Sequence, residues 1–246
     1  MNLYKKFLVK SGLFLSDILR FVLNIVSEMP PEKSRSSKLK NLFIITSTIN
    51  PTHKRKMAFN SKQRFKQTLK TIYSIRECSP DSDIFLLDNS SITNHQKRCL
   101  TKLVNRYYDF SNYKIHKYLR DYATIGMPET IMILSVINDV RKLPYKLIFK
   151  ISGRYFLTKD FNITAFATKK MTFRPYKYNV STRLYSFPNF MINIYRRQQI
   201  ASIIGSLFGA SIEDLIARGL MPKFFVLKSN IGLKGFIGSS GEAINE

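Results

Sequence analysis

The residues best equipped for chemistry in this chain stand directly behind apolar runs. Asp83-Ile84-Phe85-Leu86-Leu87 leads into Asp88-Asn89-Ser90-Ser91. A carboxylate leaving a buried strand accepts hydrogen bonds from a ribose or a base. The same residues also make a good turn held by Asx-type backbone bonds, so two readings stand for Asp88 and Asn89. Leu147-Ile148-Phe149-Lys150-Ile151 leads into Ser152-Gly153-Arg154-Tyr155. Glycine lets a backbone approach a ligand closely, and arginine offers a planar fork for phosphate. The plain alternative is a strand-exit turn with a solvated arginine. Lys150, charged inside an apolar run, needs a partner or a water-filled site. Leu42-Phe43-Ile44-Ile45-Thr46 ends in Ser47 and Thr48. Glu213 and Asp214 fall in the first turn of a later helix. Acids there complement the helix dipole, or one of them deprotonates an acceptor hydroxyl as a general base.

Such groups act together only if a scaffold gathers the strand ends, and the intervening pattern supplies one. The Leu42–Thr46 run reads as a buried parallel strand. After a polar loop from Asn50 to Asn60, Ser61 is the expected N-cap of a helix through Cys78, with Phe65, Leu69, Ile72 and Ile75 on one face. Ser79-Pro80-Asp81 makes a turn, and the 83–87 run is the second strand. Thr93 with Gln96 forms a capping box for a helix to about Tyr107. A weaker third strand is expected at Lys114–Tyr118. Gly126 and Pro128 open an apolar-faced helix to about Lys142, and the 147–151 run is the next strand. Beyond Phe161 the pattern gives a hairpin over Met171–Phe187, helices over Phe190–Phe208 and from Ser211, a strand at Phe224–Leu227, and a Gly-rich tail pairing on itself. The alternation predicts an α/β, Rossmann-like fold: a mostly parallel central sheet flanked by helices. Ligands bind such sheets at the carboxyl ends of the strands. Four loops should therefore converge: Thr46–Thr48, Asp88–Ser91, the segment before Gly126, and Ser152–Tyr155.

The 246 residues suit one domain, 41–246, preceded by an appendage, 1–40. In the appendage, Phe7–Val26 is apolar but interrupted by Lys10, Asp17 and Arg20, too charged for an ordinary membrane span. It reads as an amphipathic helix, lying either on a membrane or on the domain, followed by a basic linker. The net charge of +24 calls for anionic partners: nucleic acid, an anionic membrane surface or a phosphorylated substrate. Cys78 and Cys99 are too few for a disulfide framework or a zinc site and fit a reducing compartment. A cytoplasmic protein is the expectation, with peripheral membrane attachment as one of the two readings of the appendage.

The order of these pieces resembles the GT-A glycosyltransferases, particularly the family-2-like group. The likeness runs over about residues 41–220. It is carried by Thr46-Ser47-Thr48, by Gln67 to Ile75 in the first helix, and by Asp83 to Ser91 as the strand whose terminal Asp holds the nucleoside. Gly126 stands where the family has its sugar-nucleotide loop, and Leu147 to Tyr155 where it has the strand delivering Asp-x-Asp. Glu213-Asp214, with Arg218 and Gly219 downstream, looks like the acidic helix start that supplies the base. The chain departs from the family at one point: no Asp-x-Asp follows the 147–151 strand, and Ser152-Gly153-Arg154 stands there instead. In the family that motif holds manganese or magnesium against the donor diphosphate. The departure leaves three outcomes: a basic pocket in which Arg154, with Lys150 or Arg183, substitutes for the ion, which is the expectation; a manganese or magnesium site placed elsewhere; or an inactive fold. The implied site comprises Thr46, Ser47, Asp88, Asn89, Gly126, Lys150, Ser152, Gly153, Arg154 and Arg183 for the nucleotide-sugar, with Glu213 or Asp214 as base. Its partners would be a nucleotide-diphosphate sugar and a glycan or lipid-linked acceptor, in an inverting, metal-independent transfer.

Two other functions fit the composition. The Lys/Arg and Tyr/Phe interleaving in Phe173–Tyr185 suits nucleic acid, by phosphate neutralisation and base stacking, although no nucleic-acid-binding motif is present and the cations are spread along the chain. An inactive membrane-surface scaffold of the same fold is the third reading.

Overall fold

The computed structural model describes residues 9–11, 15, 39–51, 57–123, 126–176, 179–219 and 224–246. Of the expected N-terminal amphipathic helix, residues 9–11 and 15 are described and helical. The rest of that helix, the linker to residue 38 and the loop cations His53 to Lys56 lie outside the described residues.

The apolar runs become the centre of a seven-stranded sheet. Its strands are β1 (Leu42–Ser47), β2 (Asp83–Asp88), β3 (Arg106–Asp109), β4 (Leu147–Ser152), β6 (Met171–Tyr176), β7 (Asn179–Pro188) and β8 (Phe225–Leu227). Their order is β3-β2-β1-β4-β7-β6-β8. The β3, β2, β1 and β4 strands are mutually parallel, whereas β7 runs antiparallel to both β4 and β6. A smaller antiparallel sheet joins β5 (Tyr155–Leu157), β9 (Leu233–Phe236) and β10 (Ala243–Asn245) in the order β10-β9-β5.

Side chains alternate across a strand, and β1 shows what that does. Leu42 and Ile44 enter one core with Met132, Ile133 and Val136; Phe43 and Ile45 enter another with Ile72, Ile75 and Leu100. Both faces of the sheet are thus covered, which is why β1 reads as an unbroken apolar run. Each such fully buried side chain contributes roughly 1.5–3 kcal/mol.

The covering helices are α1 (Ser61–Cys78), α2 (Asn94–Leu103), α3 (Lys114–Tyr122), α4 (Met127–Arg141), α5 (Ile192–Leu207) and α6 (Ile212–Gly219). Thr93 and Gln96 close the expected capping box of α2. At α1 the cap is Asn60 rather than Ser61. Asn60 and Gln63 make a reciprocal box, and Ser61 turns its hydroxyl to Asn50. Gly126 caps α4 at φ 99°, where an added Cβ would lie 2.8 Å from Ile212. Only glycine meets both conditions easily.

The 104–122 stretch differs from the sequence expectation. The α2 helix stops at Leu103, β3 is the four-residue Arg-Tyr-Tyr-Asp edge strand, and Lys114–Tyr122 is helical. The reason is tertiary. His116 and Leu119, three apart, turn one helical face inward. The β3 strand presents half-exposed side chains with no apolar run to announce it.

Candidate functional site

The carboxyl ends of β1 and β4 open into a cleft of about 610 Å³. The α1 and α4 helices, β7, the start of α6 and the loop at Gly238–Ser239 form its other walls. Of the residues singled out in the sequence, Thr46, Ser47, Gly126, Ser152, Arg154, Arg183 and Glu213 line it.

Asp88, Asn89, Lys150, Gly153 and Asp214 do not line it, and each has a structural occupation. The Asp88 carboxylate is fully buried and accepts from Ile49 N (3.0 Å), Ser90 N (2.8 Å) and Ser90 Oγ (2.5 Å). It organises the loops behind the cleft, as the turn reading has it. Burial pushes its pKa up to about 6 against the lowering effect of those bonds. Asn89 accepts from Thr48 Oγ1 at 2.8 Å and is likewise buried. Gly153 wedges against Thr68 and Ser47, where a Cβ would sit 3.2–3.3 Å from both. Asp214 exchanges bonds with Ser211 (2.7 and 3.0 Å) across the first turn of α6.

Lys150 finds the partner that its burial demands. Its ammonium pairs with Glu129 and donates to Ser152 Oγ (2.8 Å) and Thr182 O (2.6 Å). Burial lowers its pKa and Glu129 opposes the shift. Glu129 also accepts from Thr46 (2.8 Å) and Ser152 (3.1 Å), so one carboxylate ties β1, β4 and α4 together beneath the cleft. The charge of Lys150 is therefore answered inside the protein. Glu129 is a site residue that the sequence concealed as a first-turn acid of α4; the signal for it was the buried lysine, which required an anion somewhere.

The cations that remain are guanidiniums. Arg64, on the inner face of α1, is 2% exposed yet lines the cleft. It donates to Thr48 O (3.0 Å) and contacts the sulfur of Met57, and its Nε has no hydrogen-bond partner among the described residues. Burial, then the charge of Arg154, pulls its pKa down to about 10, with Asp88 opposing. Arg154 also has an Nε without a partner among the described residues. Its guanidinium lies on Gly238, where a Cβ would meet it at 2.9 Å, and against the Tyr155 ring at 5.8 Å. Neither arginine forms an ion pair among the described residues. Arg183, by contrast, is paired with Glu246 and lies over Tyr176; burial works most strongly against its charge, but Glu246, Tyr155 and Tyr176 together outweigh burial and its pKa rises. Arg64 was foreshadowed by a polar stripe on α1, with Thr68 and Thr71 spaced four and seven residues on and equally buried.

Two carboxylates reach this basic cleft. Glu129 is committed to Lys150. Glu213 accepts from Thr182 Oγ1 at 2.8 Å and lines the opening. A divalent ion wants several oxygen ligands around one point. Among the described residues no three His, Cys, Asp or Glu side chains come together, and the Arg154 guanidinium stands at the β4 exit. The residues present fit an anion rather than a divalent ion.

No protein-family model matches the chain, and no curated protein matches it in sequence. Solved structures do resemble it in shape. Core-mannan synthase A from Aspergillus fumigatus, in a Mn/GDP form, is 8% identical over 79% of this chain and 73% of its own, with a TM-score of 0.45. A galactosyltransferase in complex with donor and acceptor sugar analogues is 8% identical over 76% and 72%, with a TM-score of 0.49. A glycosyltransferase involved in glycosylation of the major capsid of PBCV-1 is 10% identical over 77% and 82%, with a TM-score of 0.40. At such identities, and with TM-scores under 0.5, the likeness decides nothing about function, which has to be read from the cleft itself.

Proposed function

We propose that the chain is a nucleotide-sugar-dependent glycosyltransferase of the GT-A type. The observation that carries this is the pair of guanidiniums, Arg64 and Arg154, that line the cleft at the carboxyl ends of β1 and β4 without an ion pair among the described residues, with the Glu213 carboxylate in the same lining. Two guanidinium forks lining one cleft, neither with a carboxylate partner among the described residues, suit the oxygens of a diphosphate. In a transfer, an acceptor hydroxyl attacks the anomeric carbon and the bond from that carbon to the diphosphate oxygen breaks. Glu213 takes the hydroxyl proton. Arg64 and Arg154 stabilise the charge gathering on the leaving nucleoside diphosphate. Arg183, already balanced by Glu246, supports the wall through Tyr155 and Tyr176. On this reading the cations do what a metal does elsewhere, the displacement inverts the anomeric centre, and the acceptor is a glycan or a lipid-linked sugar.

The test is thermal unfolding with uridine and guanosine diphosphates, in EDTA and in manganese. A ligand at about a hundred times its Kd stabilises by about 2.7 kcal/mol, roughly 5–10 °C for a chain of this size. The expected shift is the same in EDTA as in manganese and is lost in Arg154→Ala. No shift with any nucleoside diphosphate would overturn the reading.

A further inference from the structure

Nine large hydrophobic side chains are exposed among the described residues, and four of them, Tyr113, Ile115, Tyr118 and Tyr122, lie on or beside the nine-residue helix α3. At 100° per residue, Ile115, Tyr118 and Tyr122 share one outward strip. Tyr118 and Tyr122 pack ring to ring at 5.2 Å, so the strip is a continuous surface. The inward positions are His116 and Leu119. Beside the strip stand Lys114 and Lys117, both exposed and without an ion pair among the described residues.

The charges on α3 run against the helix. Its first turn holds no acid, its N-cap Tyr113 makes no side-chain cap, and two lysines sit where the helix dipole is already positive. The one acid of the helix, Asp121, is held by Arg120 at 2.8 Å. An isolated domain gains nothing from lysines there, whereas an anionic layer facing that end is attracted by both the lysines and the dipole. Tyrosines beside lysines on one exposed strip match a membrane–water interface, where the rings sit at headgroup depth and the lysine stems reach the charged groups.

We infer that the outward face of α3 docks the protein on an anionic membrane surface. The docking has a geometric consequence. The helix ends at Tyr122, and the next residue, Ala123, lines the cleft, as does Gly126. A membrane on α3 therefore lies beside the cleft mouth. Taken with the transferase reading, on which this step alone rests, that selects a lipid-linked acceptor over a soluble glycan.

The experiment uses the full chain and two variants of exposed residues, Ile115→Ser/Tyr118→Ser and Lys114→Glu/Lys117→Glu. Each is floated with phosphatidylcholine vesicles, with and without a minority of phosphatidylglycerol. The wild type is expected on the anionic vesicles only, and each variant is expected to lose partitioning at least about tenfold. The uridine or guanosine diphosphate melting shift should stay as in the wild type, because neither variant touches the cleft. If that shift is absent from every protein while the flotation pattern holds, the transferase reading fails and the docking surface stands. Wild-type protein that does not float, that floats equally with neutral lipid, or that floats as well after both substitutions overturns the docking surface. Protection of Tyr118 by soluble oligosaccharide in the absence of lipid would overturn it in favour of a glycan platform.

Discussion

Replacing Arg64 by methionine should weaken ligand binding without weakening the free protein. The guanidinium is 2% exposed, and its pKa of about 10 lies well below the ordinary range. At about 1.4 kcal/mol per pKa unit, holding it charged while buried, and beside Arg154, disfavours the fold by about 3 kcal/mol. Methionine fills a similar volume without that charge. It also removes the bond to Thr48 O, a loss of about 1.5–3 kcal/mol for a bond from a charged donor. The two nearly cancel, with the balance toward stability. The melting temperature of the free Arg64→Met protein should be unchanged or a few degrees higher. Affinity for a nucleoside diphosphate should fall about 10- to 100-fold, the equivalent of one or two charge-assisted hydrogen bonds. Calorimetry and thermal unfolding of the same preparations measure both. A free protein that melts markedly lower, with affinity unchanged, would show that Arg64 is a structural cation and that the diphosphate site is misplaced.

Glu213→Gln should retain nucleotide binding and lose about 10²- to 10⁴-fold in turnover, as removal of a general base does; equal turnover would remove Glu213 from the chemistry. Lys150→Met should destabilise the domain by about 3–5 kcal/mol, because Glu129 keeps its charge without its partner; denaturant unfolding gives the value, and a small effect would mean that water already reaches the pair. Asp88 predicts a pH dependence. Its folded pKa, about 6, lies above the unfolded value near 3.9, so its contribution to stability is fully present below about pH 4 and is lost as pH rises through 6, a swing of about 3 kcal/mol. Asp88→Asn should flatten that part of the unfolding profile, and an unchanged slope would assign the effect elsewhere. Gly126→Ala should destabilise by about 1–3 kcal/mol, since φ 99° and the contact with Ile212 both oppose a Cβ; a neutral result on thermal unfolding would mean that Ile212 yields.

What the sequence disclosed was whatever depends on neighbours along the chain. The β1, β2 and β4 runs were plain because both faces of each are buried, so their inner positions are apolar, Lys150 excepted. The capping box at Thr93 and the glycine before α4 are local signals, and both stand where they were read. The strand–helix alternation placed Thr46, Gly126, Ser152 and Arg154 at strand ends and a helix start that do share one opening, whereas Glu213, which lines it too, lies beyond the alternating segment. What failed needed distances that no local pattern carries. Asp88 and Lys150 had the right residue types at the right strand ends, yet Ser90 and Glu129 had already claimed them. Arg64 lay hidden because a cation in a helix reads as solvated until its face is known. Lys114–Tyr118 reads as a strand in sequence because its inward pair, His116 and Leu119, is too sparse to reveal a helical period.

The two guanidiniums of the cleft come from distant parts of the chain, Arg64 from α1 and Arg154 from the turn between β4 and β5. Nothing forces them together until β1 has paired with β4 and the smaller sheet has closed over Gly238. Their mutual repulsion, and its relief by a bound diphosphate, therefore belong to the assembled cleft, which the native state alone presents. An interaction absent from the transition state leaves the folding rate alone and slows unfolding. A nucleoside diphosphate in this cleft would act as a latch on the native state, lengthening its lifetime without hastening its formation.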